Sequence, residues 1–230
     1  MRGKDFEEAR ACFARVLHQP HNDAGLKLGL EFEYAAALDK CRQPAAAMDV
    51  LQRAHAERRA LTGRNHPALQ DSTEAFAVLE QPVPAWNPAC QGRDGCVDPV
   101  FVVGFPRSGT TLLEQLLDAH PALASFDEQP FLQHIVRRLT ANGEDVFERI
   151  GQITPLQWRQ QREAYFSEVR QVATDAAKRA VDKNPLNMVR LPLLQNFFPN
   201  SQVILAIRHP CDVVLSCYMQ HFRAPAFALT

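Results

Sequence analysis

The segment from Gly104 to Thr111, Gly-Phe-Pro-Arg-Ser-Gly-Thr-Thr, combines residue types at a spacing that suits the binding of an anion. Its two glycines, separated by four residues, let backbone N–H groups approach the oxygens of a phosphate, and the hydroxyls of Thr110 and Thr111 add donors. The lysine that follows the second glycine in nucleotide triphosphatases is replaced by Thr110, and a cation stands inside the loop as Arg107. Such a loop is poorly equipped to hold β- and γ-phosphates with magnesium, but it can hold a monoanionic group beside a phosphate.

Polar residues also follow three other candidate strands of the sequence. Asp127 and Glu128 come after the second strand, Asp182 and Lys183 follow the third, and Arg208 follows the fourth, with Ser216 eight residues further on. Ligands of open α/β sheets bind outside the carboxyl ends of the strands, so these side chains are expected to share one crevice with the anion-binding loop. A cation at a strand end and a hydroxyl on the helix behind it can hold one phosphate from two sides.

A parallel sheet is needed to position these residues, and the hydrophobic pattern predicts one. The first strand, Val100–Val103, is a short apolar run suited to a buried parallel strand. Strands and helices then alternate, with strands predicted at 122–126, 179–181 and 203–207 and helices at 111–120, 129–140, 156–178 and 186–197. This alternation predicts the α/β class, with a P-loop-like parallel sheet flanked by helices.

The first sixty residues show helical patterns. Apolar residues recur at helical spacing over 5–17, a second helix is predicted over 23–40, and Pro44 stands at the first position of a third. Alanines at packing positions and short loops resemble tetratricopeptide repeats, and the alternative is a plain helical bundle. The predicted domains are partial repeats at 1–80, from an array expected to begin before residue 1, a Pro- and Gly-rich linker at 81–98, and an α/β domain at 99–230.

The overall composition argues against several classes of function. The 25 Lys and Arg residues balance 26 Asp and Glu residues, so a general nucleic-acid binder held by phosphate contacts is not expected. No apolar run approaches the roughly 18 residues of a membrane span, and the acidic N-terminus lacks the apolar segment of a signal peptide. These features predict a cytoplasmic protein without a membrane span.

The six cysteines, at positions 12, 41, 90, 96, 211 and 217, show none of the Cys and His spacings of zinc sites. Free thiols in a reducing cytoplasm are therefore predicted. The alternative is that Cys90 and Cys96, which bracket a glycine-containing loop, share a disulfide or a metal.

Two segments carry a resemblance to a known family. Gly104–Glu114 resembles the loop with which sulfotransferases bind the 5′-phosphosulfate of 3′-phosphoadenosine 5′-phosphosulfate (PAPS), and Arg208–Ser216 resembles their 3′-phosphate-binding segment. The chain is most similar to bacterial members that resemble tyrosylprotein sulfotransferases and carry N-terminal tetratricopeptide repeats. Further matching segments are Leu117–Pro121, Asp127-Glu128, Lys183–Pro185 and Phe198–Ser201. The resemblance covers about residues 97–222 and implies the sulfotransferase fold without the family's later segments.

The resemblance implies transfer of a sulfuryl group from PAPS to an acceptor hydroxyl, with protein tyrosine among the candidate acceptors. The residues it assigns to PAPS are Arg107, Ser108, Gly109, Thr110 and Thr111 for the 5′-phosphosulfate, and Arg208 and Ser216 for the 3′-phosphate. It assigns catalysis to Glu128 as general base, to Lys183 as the cation that neutralises the leaving oxygen, and to Arg107. No metal is expected, because a sulfuryl group carries less charge than a phosphoryl group.

Two residues are alternatives to Glu128 as the base. His134 is one, because cytosolic small-molecule sulfotransferases use a histidine base. Asp127 is the other, because neighbouring residues that leave a strand point to opposite sides and only one of them is expected to face the site. The position in the family motif favours Glu128, with Asp127 expected to contact backbone or solvent.

Two other functions are alternatives to sulfuryl transfer. A P-loop kinase or NTPase needs a lysine after Gly109 and an acid at the end of an apolar strand, where Thr110 and Arg208 stand. A non-catalytic scaffold would use the repeats for a protein partner and retain an incomplete nucleotide-binding domain. The acceptor, a protein or a small-molecule hydroxyl, stays open because Pro130 stands where tyrosylprotein enzymes have a basic residue.

Overall fold

The computed structural model describes residues 3–62, 94–141, 146–175 and 177–222 of the 230-residue chain. Internal contacts divide the chain into two compact units, which we call the helical unit (1–77 and 214–230) and the sheet unit (78–213). The predicted linker at 81–98 lies outside the described residues as far as residue 93, and so does Cys90. Cys96 has a free thiol. The domain boundaries taken from the sequence stay predictions.

In the described range 3–62, the helical unit contains the helices α1 (Gly3–Leu17), α2 (Ala24–Lys40) and α3 (Pro44–Thr62). The Asp23 carboxylate caps α2 by accepting a hydrogen bond from the Leu26 N–H at 3.0 Å. Proline is well placed at the start of α3, because the N–H that it lacks would have no partner within the helix. The core between α2 and α3 consists of small, aliphatic and aromatic side chains: Leu28, Phe32, Ala35, Leu38, Ala47, Val50, Leu51 and Ala54. The predicted helical segment is confirmed, whereas its assignment to tetratricopeptide repeats stays a prediction.

Among the described residues of the sheet unit, four strands form one parallel sheet: β1 (Val100–Gly104), β2 (Leu123–Asp127), β3 (Arg179–Lys183) and β4 (Gln202–Ala206). Their order across the sheet is β2-β3-β1-β4. The four strands predicted from the sequence are confirmed, with bounds that differ by at most two residues. Because the strands are parallel, their carboxyl ends lie along a single edge of the sheet.

Helices connect the strands. They are α4 (Thr110–Asp118), α5 (Phe131–Leu139), α6 (Val146–Ile150), α7 (Pro155–Val172), α8 (Leu191–Phe197) and α9 (Pro210–Tyr218), with a 3₁₀ helix at Pro185–Arg190. The predicted α/β class, a parallel sheet flanked by helices, is confirmed. Within the described ranges, none of these helices has the length and apolar character needed to cross a membrane.

The two faces of the sheet bury different sets of side chains. On one face, Phe101 and Val103 of β1 belong to a large core with Tyr165 and Phe198, and the ring centroids of Phe101 and Phe198 lie 5.4 Å apart. The alternate residues of β1 belong to a smaller cluster on the other face, against which Leu113 of α4 packs. Burial on both faces is what the continuous apolar run of β1 predicts.

A buried arginine fixes the start of β1. The Nη1 of Arg162, on α7, donates to Asp98 Oδ1 at 2.6 Å and to the Phe197 carbonyl oxygen at 2.7 Å, and its Nε donates to Asp94 Oδ2 at 2.6 Å. The other Asp98 oxygen accepts from the Asn200 N–H at 2.8 Å. A buried charge without a partner is strongly destabilising. The two carboxylates and the carbonyl oxygen therefore stabilise the buried guanidinium of Arg162. It ties the segment before β1 to the segment before β4, which is the neighbouring strand.

Candidate active site

The loop between β1 and α4 lies so close to β4 that its first residue has to be glycine. A Cβ atom at Gly104 would lie 2.7 Å from the carbonyl oxygen of Ala206 and 2.8 Å from Ser108 Oγ, closer than van der Waals contact allows. Gly109, at the N-terminus of α4, has a φ of +99°, which residues with a side chain rarely adopt. Both glycines of the sequence motif are therefore required by the backbone.

Two hydroxyl residues of the loop are buried beside the first turn of α4. Ser108 and Thr110 are 8% and 4% exposed, whereas Thr111 is exposed. Within the described ranges, Ser108 Oγ is buried without a hydrogen-bond partner. A buried hydroxyl without a partner is costly, so an anion oxygen that accepts from Ser108 would satisfy the loop. Together with the helix N-terminus, this donor fits the phosphosulfate group that the sequence predicts here.

Backbone strain coincides with two of the predicted catalytic residues. Arg107 has a φ of +70° and Glu128 a φ of +49°, and Arg42 of the helical unit is the remaining non-glycine residue with a positive φ in the described part of the chain. Such conformations cost about 1–3 kcal/mol each and cluster at functional sites. The strain therefore supports a functional role for these two positions.

Arg208 joins the end of β4 to the anion-binding loop. Its Nη1 donates to the carbonyl oxygen of Arg107 at 3.3 Å, and its Nε lies 3.5 Å from Asp212 Oδ2 on the first turn of α9. Ser216 lies on the same helix, α9, about two turns after Arg208. The structure thus places Arg208, the first residue of the second predicted anion-binding segment, next to the Gly104–Thr111 loop, which is the first such segment.

A buried lysine lies at the end of β3, between the ends of β2 and β1 in the sheet order. The Lys183 side chain is 1% exposed, and its Nζ contacts the carboxylates of Asp127 and Glu128, the latter at 3.4 Å. Both carboxylates are mostly exposed, so the positive charge of Lys183 faces the open edge of the sheet. Three residues from two distant parts of the sequence thus meet at one point.

The expectation that Asp127 contacts only backbone or solvent is wrong, because its carboxylate pairs with Lys183. That expectation assumed the alternation of a regular strand. Glu128 instead turns into the left-handed region, while its N–H still donates to the Lys183 carbonyl oxygen at 2.8 Å. This turn interrupts the alternation, so that both carboxylates reach the same ammonium group.

Asp182, which precedes Lys183 on β3, is a buried acid to which the sequence assigned no role. Its Oδ2 accepts a hydrogen bond from the Tyr165 hydroxyl at 3.0 Å, and its buried Oδ1 has no partner among the described residues. Burial raises the pKa of Asp182 to about 7, against the opposing effect of the Tyr165 hydrogen bond. Burial also raises the pKa of Tyr165 well above its usual value. The available signal in the sequence was an acid directly after a predicted strand, and the structure places it in register with buried Phe101.

We expect Asp182→Asn to stabilise the protein above neutral pH and to flatten the pH dependence of its stability. In the unfolded chain this carboxyl loses its proton near pH 4, whereas the folded protein holds the proton up to about pH 7. The wild-type free energy of unfolding therefore falls as pH rises between those values, and the variant lacks that contribution. Thermal midpoints of both proteins across this range measure the effect. Equal slopes would assign the pH dependence to other groups.

The histidines of the sheet unit have local partners. His134 Nδ1 lies 2.7 Å from Glu168 Oε2, and the other Glu168 oxygen accepts from Arg138 at 3.1 Å. His120 Nδ1 accepts from the Ala122 N–H at 3.2 Å. His134, the alternative base, thus has one ring nitrogen engaged by a carboxylate. A search of the described residues finds no group of three His, Cys, Asp or Glu side chains that could hold a metal ion.

Comparison with known proteins identifies the class to which this fold and site belong. Residues 99–230 match the sequence model of the sulfotransferase family. The matched segment is more than half of the chain, and the chain therefore belongs to the sulfotransferase family. The family predicted from the two anion-binding segments is confirmed.

Individual relatives cover smaller parts of the chain. A protein of Aquifex aeolicus (strain VF5) that is itself described as uncharacterized is 36% identical over 133 residues, which are 55% of this chain and 17% of that protein. Protein-tyrosine sulfotransferase A of Caenorhabditis elegans is 31% identical, and protein-tyrosine sulfotransferase 1 of Homo sapiens is 27% identical, each over 113 residues. Those two matches cover 47% of this chain and 30% of each relative. The chain thus spans less than half the length of these relatives.

Proposed function

We propose that this chain transfers a sulfuryl group from PAPS to the hydroxyl of an acceptor. The observation that carries the proposal is the contact at 3.3 Å between the Arg208 guanidinium and the Arg107 carbonyl oxygen. It joins the loop that suits a phosphosulfate to the strand end that suits a second phosphate. A nucleotide with anionic groups on both its 5′ and 3′ oxygens fits two adjoining anion sites better than a single triphosphate chain does.

The 5′-phosphosulfate would be bound by the backbone amides of Arg107–Thr111 and the orphaned Ser108 hydroxyl. These groups lie at the N-terminus of α4, where the helix dipole also favours an anion. Arg208 and Ser216 would bind the 3′-phosphate through charge-assisted hydrogen bonds.

The chemical step then requires positioning and charge stabilisation. The acceptor oxygen forms a bond to sulfur while the bond between sulfur and the leaving phosphate oxygen breaks, which yields a sulfate ester and adenosine 3′,5′-bisphosphate. Glu128 would take the proton of the acceptor hydroxyl, and Lys183 would stabilise the charge that grows on the leaving oxygen. The 3.4 Å distance from Lys183 Nζ to Glu128 Oε1 keeps the two groups within one site.

Tyrosine is the first acceptor to assay, because two of the relatives are named as protein-tyrosine sulfotransferases. Pro130, two positions after Glu128, is apolar, so the chain would lack a cation at this point to recognise acidic residues around a tyrosine. The helical unit remains the candidate surface for a protein partner.

Thermal denaturation with two nucleotides tests the proposed function. Adenosine 3′,5′-bisphosphate without metal is expected to raise the midpoint, because a ligand that binds only the folded state stabilises it by mass action. ATP with magnesium is expected to have no comparable effect. Stabilisation by ATP with magnesium alone would favour a kinase or NTPase, and stabilisation by neither would favour a non-catalytic scaffold.

Arg208→Ala is expected to weaken the binding of adenosine 3′,5′-bisphosphate by about 1.5–3 kcal/mol, the usual contribution of hydrogen bonds to charged groups. Isothermal titration measures this loss directly. Arg138→Ala is the matched control, since Arg138 pairs with Glu168 on α7 and has no part in the proposed site. Wild-type affinity in Arg208→Ala would contradict the assignment of the 3′-phosphate.

A further inference from the structure

A cavity of about 330 Å³ lies within the sheet unit, between α7 and the paired strands β2 and β3. Its lining also includes Gly95–Val97, which precede β1, and the residues that follow α7. None of the residues assigned to sulfuryl transfer lines it. The cavity is therefore separate from the candidate active site, and its volume falls at the lower end of the range of about 300–1,000 Å³ that is typical of small-molecule sites.

The wall of the cavity is apolar because it is an incompletely covered part of the large core. It includes three core side chains that are 8%, 8% and 7% exposed, namely Phe126, Phe166 and Val169. Ala124, Ala173 and Ala180 pack against the same core and also line the cavity. Because their side chains end at Cβ, these alanines leave the space that larger side chains would fill. This part of the cavity can therefore receive an apolar group.

A guanidinium group without a counter-ion lines the same cavity. Arg170 is exposed in the last turn of α7, and its side chain has no hydrogen-bond or ion-pair partner among the described residues. Around the cavity, basic residues outnumber acidic residues three to one. The acidic residue, Asp175, already accepts a hydrogen bond from the Ala177 N–H at 2.9 Å. The cavity thus combines an apolar wall with positive charge.

The thiol of Cys96 can report on the occupancy of this cavity. Cys96 is a free cysteine and lines the cavity together with Arg170. Burial, as the largest cause, raises the pKa of the Cys96 thiol, and the positive charge of Arg170 is among the causes that oppose this rise. The two groups therefore lie within electrostatic reach of each other, and a ligand bound at Arg170 would change the reactivity of the thiol.

We propose that this cavity is a binding site for a small aromatic carboxylate, whose ring packs against the apolar wall while its carboxylate pairs with Arg170. A planar guanidinium can donate two parallel hydrogen bonds to a carboxylate, and this geometry favours a carboxylate over an anion of another shape. Aromatic rings stack on one another or meet edge-on, so a wall that contains Phe126 and Phe166 suits a flat ring. The proposal is independent of sulfuryl transfer, since the two sites share no residue.

Isothermal titration of the 230-residue chain with two probes at neutral pH tests the proposal. The probes are 2-naphthoate and its uncharged counterpart 2-naphthamide, and the wild type is expected to bind the carboxylate more tightly. Arg170→Gln should weaken the binding of 2-naphthoate by about three- to tenfold, between the effects of an exposed ion pair and of a hydrogen bond to a charged group, and should leave 2-naphthamide unaffected. Arg159→Gln, at an exposed position about three turns earlier on α7, is the matched control and should bind both probes like wild type.

Two further measurements locate the ligand. Leucine in Ala173→Leu would occupy part of the cavity, so this variant is expected to bind both probes more weakly, and thermal denaturation shows whether it is folded. Alkylation by iodoacetamide, followed by mass spectrometry, reports on each thiol separately. Bound 2-naphthoate is expected to slow the alkylation of Cys96 and to leave unchanged that of Cys12, an exposed free thiol of the helical unit.

Three results would overturn the proposal. The first is a wild-type protein that does not bind 2-naphthoate. The second is equal affinity of the two probes for the wild type, or equal affinity of 2-naphthoate for the wild type and Arg170→Gln, because either would exclude recognition of the carboxylate by Arg170. The third is binding that leaves the alkylation of Cys96 unchanged, which would locate the ligand outside the cavity.

Discussion

Replacing Glu128 by Gln is expected to lower the rate of sulfuryl transfer by about 10²–10⁴-fold, the usual contribution of a general base. The amide keeps the size of the side chain but cannot take the proton of the acceptor. Adenosine 3′,5′-bisphosphate should bind nearly as in wild type, because Glu128 is not among the groups proposed to hold the nucleotide. The rate is measured as release of the bisphosphate from PAPS in the presence of a tyrosine-containing peptide.

Two controls test the assignment of the base to Glu128. Asp127→Asn removes the other carboxylate that contacts Lys183, and it is expected to reduce the rate far less. A phenol that is largely ionised at the assay pH needs no base, so the loss in Glu128→Gln should shrink with 4-nitrophenol as acceptor. If Asp127→Asn is slower than Glu128→Gln, Asp127 is the base. Full activity of Glu128→Gln would exclude Glu128 as the base.

The second large effect is expected for Lys183→Met, with a fall in rate of about 10²–10³-fold. Methionine fills most of the buried volume of the lysine stem but supplies no charge to the leaving phosphate oxygen. The loss should appear mainly in kcat, because this charge is needed most in the transition state. The two carboxylates that contact Lys183 are mostly exposed, so water can solvate them when the ammonium is gone.

Lys178→Met is the matched control for this substitution, because Lys178 lies just before the opposite end of β3. Its rate should equal that of wild type. Circular dichroism and bisphosphate binding show whether Lys183→Met is folded with its nucleotide site intact. A folded Lys183→Met that transfers sulfuryl groups at the wild-type rate would exclude Lys183 from catalysis.

The strands and the loop could be predicted from the sequence because their signals are local. Val100–Val103 is a continuous apolar run, and the spacing of the two glycines in the following loop is visible in the sequence itself, although the contact of Gly104 with Ala206 is not. Strand order is a different kind of property. It depends on which helix packs on which face, and nothing in the pattern of single strands indicated that β3 would lie between β2 and β1.

The pairing around Lys183 could not be predicted for a related reason. The alternation rule describes residues with extended backbone, and Glu128 leaves that conformation at the point where the rule was applied. Asp182 was given no role because its importance comes from burial against Tyr165, a contact between β3 and α7 that no spacing in the sequence records.

The strand order also has a consequence for how the protein is made. β1 is synthesised before the other three strands of the described sheet, yet both of its partners come from much later in the chain, since Val100 pairs with Val181 and with Gln202. During synthesis the apolar Val100–Val103 run therefore leaves the ribosome long before either neighbour exists. Non-local pairing of this kind slows folding, and an unpaired apolar strand invites aggregation. The sheet unit should thus depend on chaperones during translation more than the helical hairpin of α2 and α3, whose contacts form between neighbours in sequence.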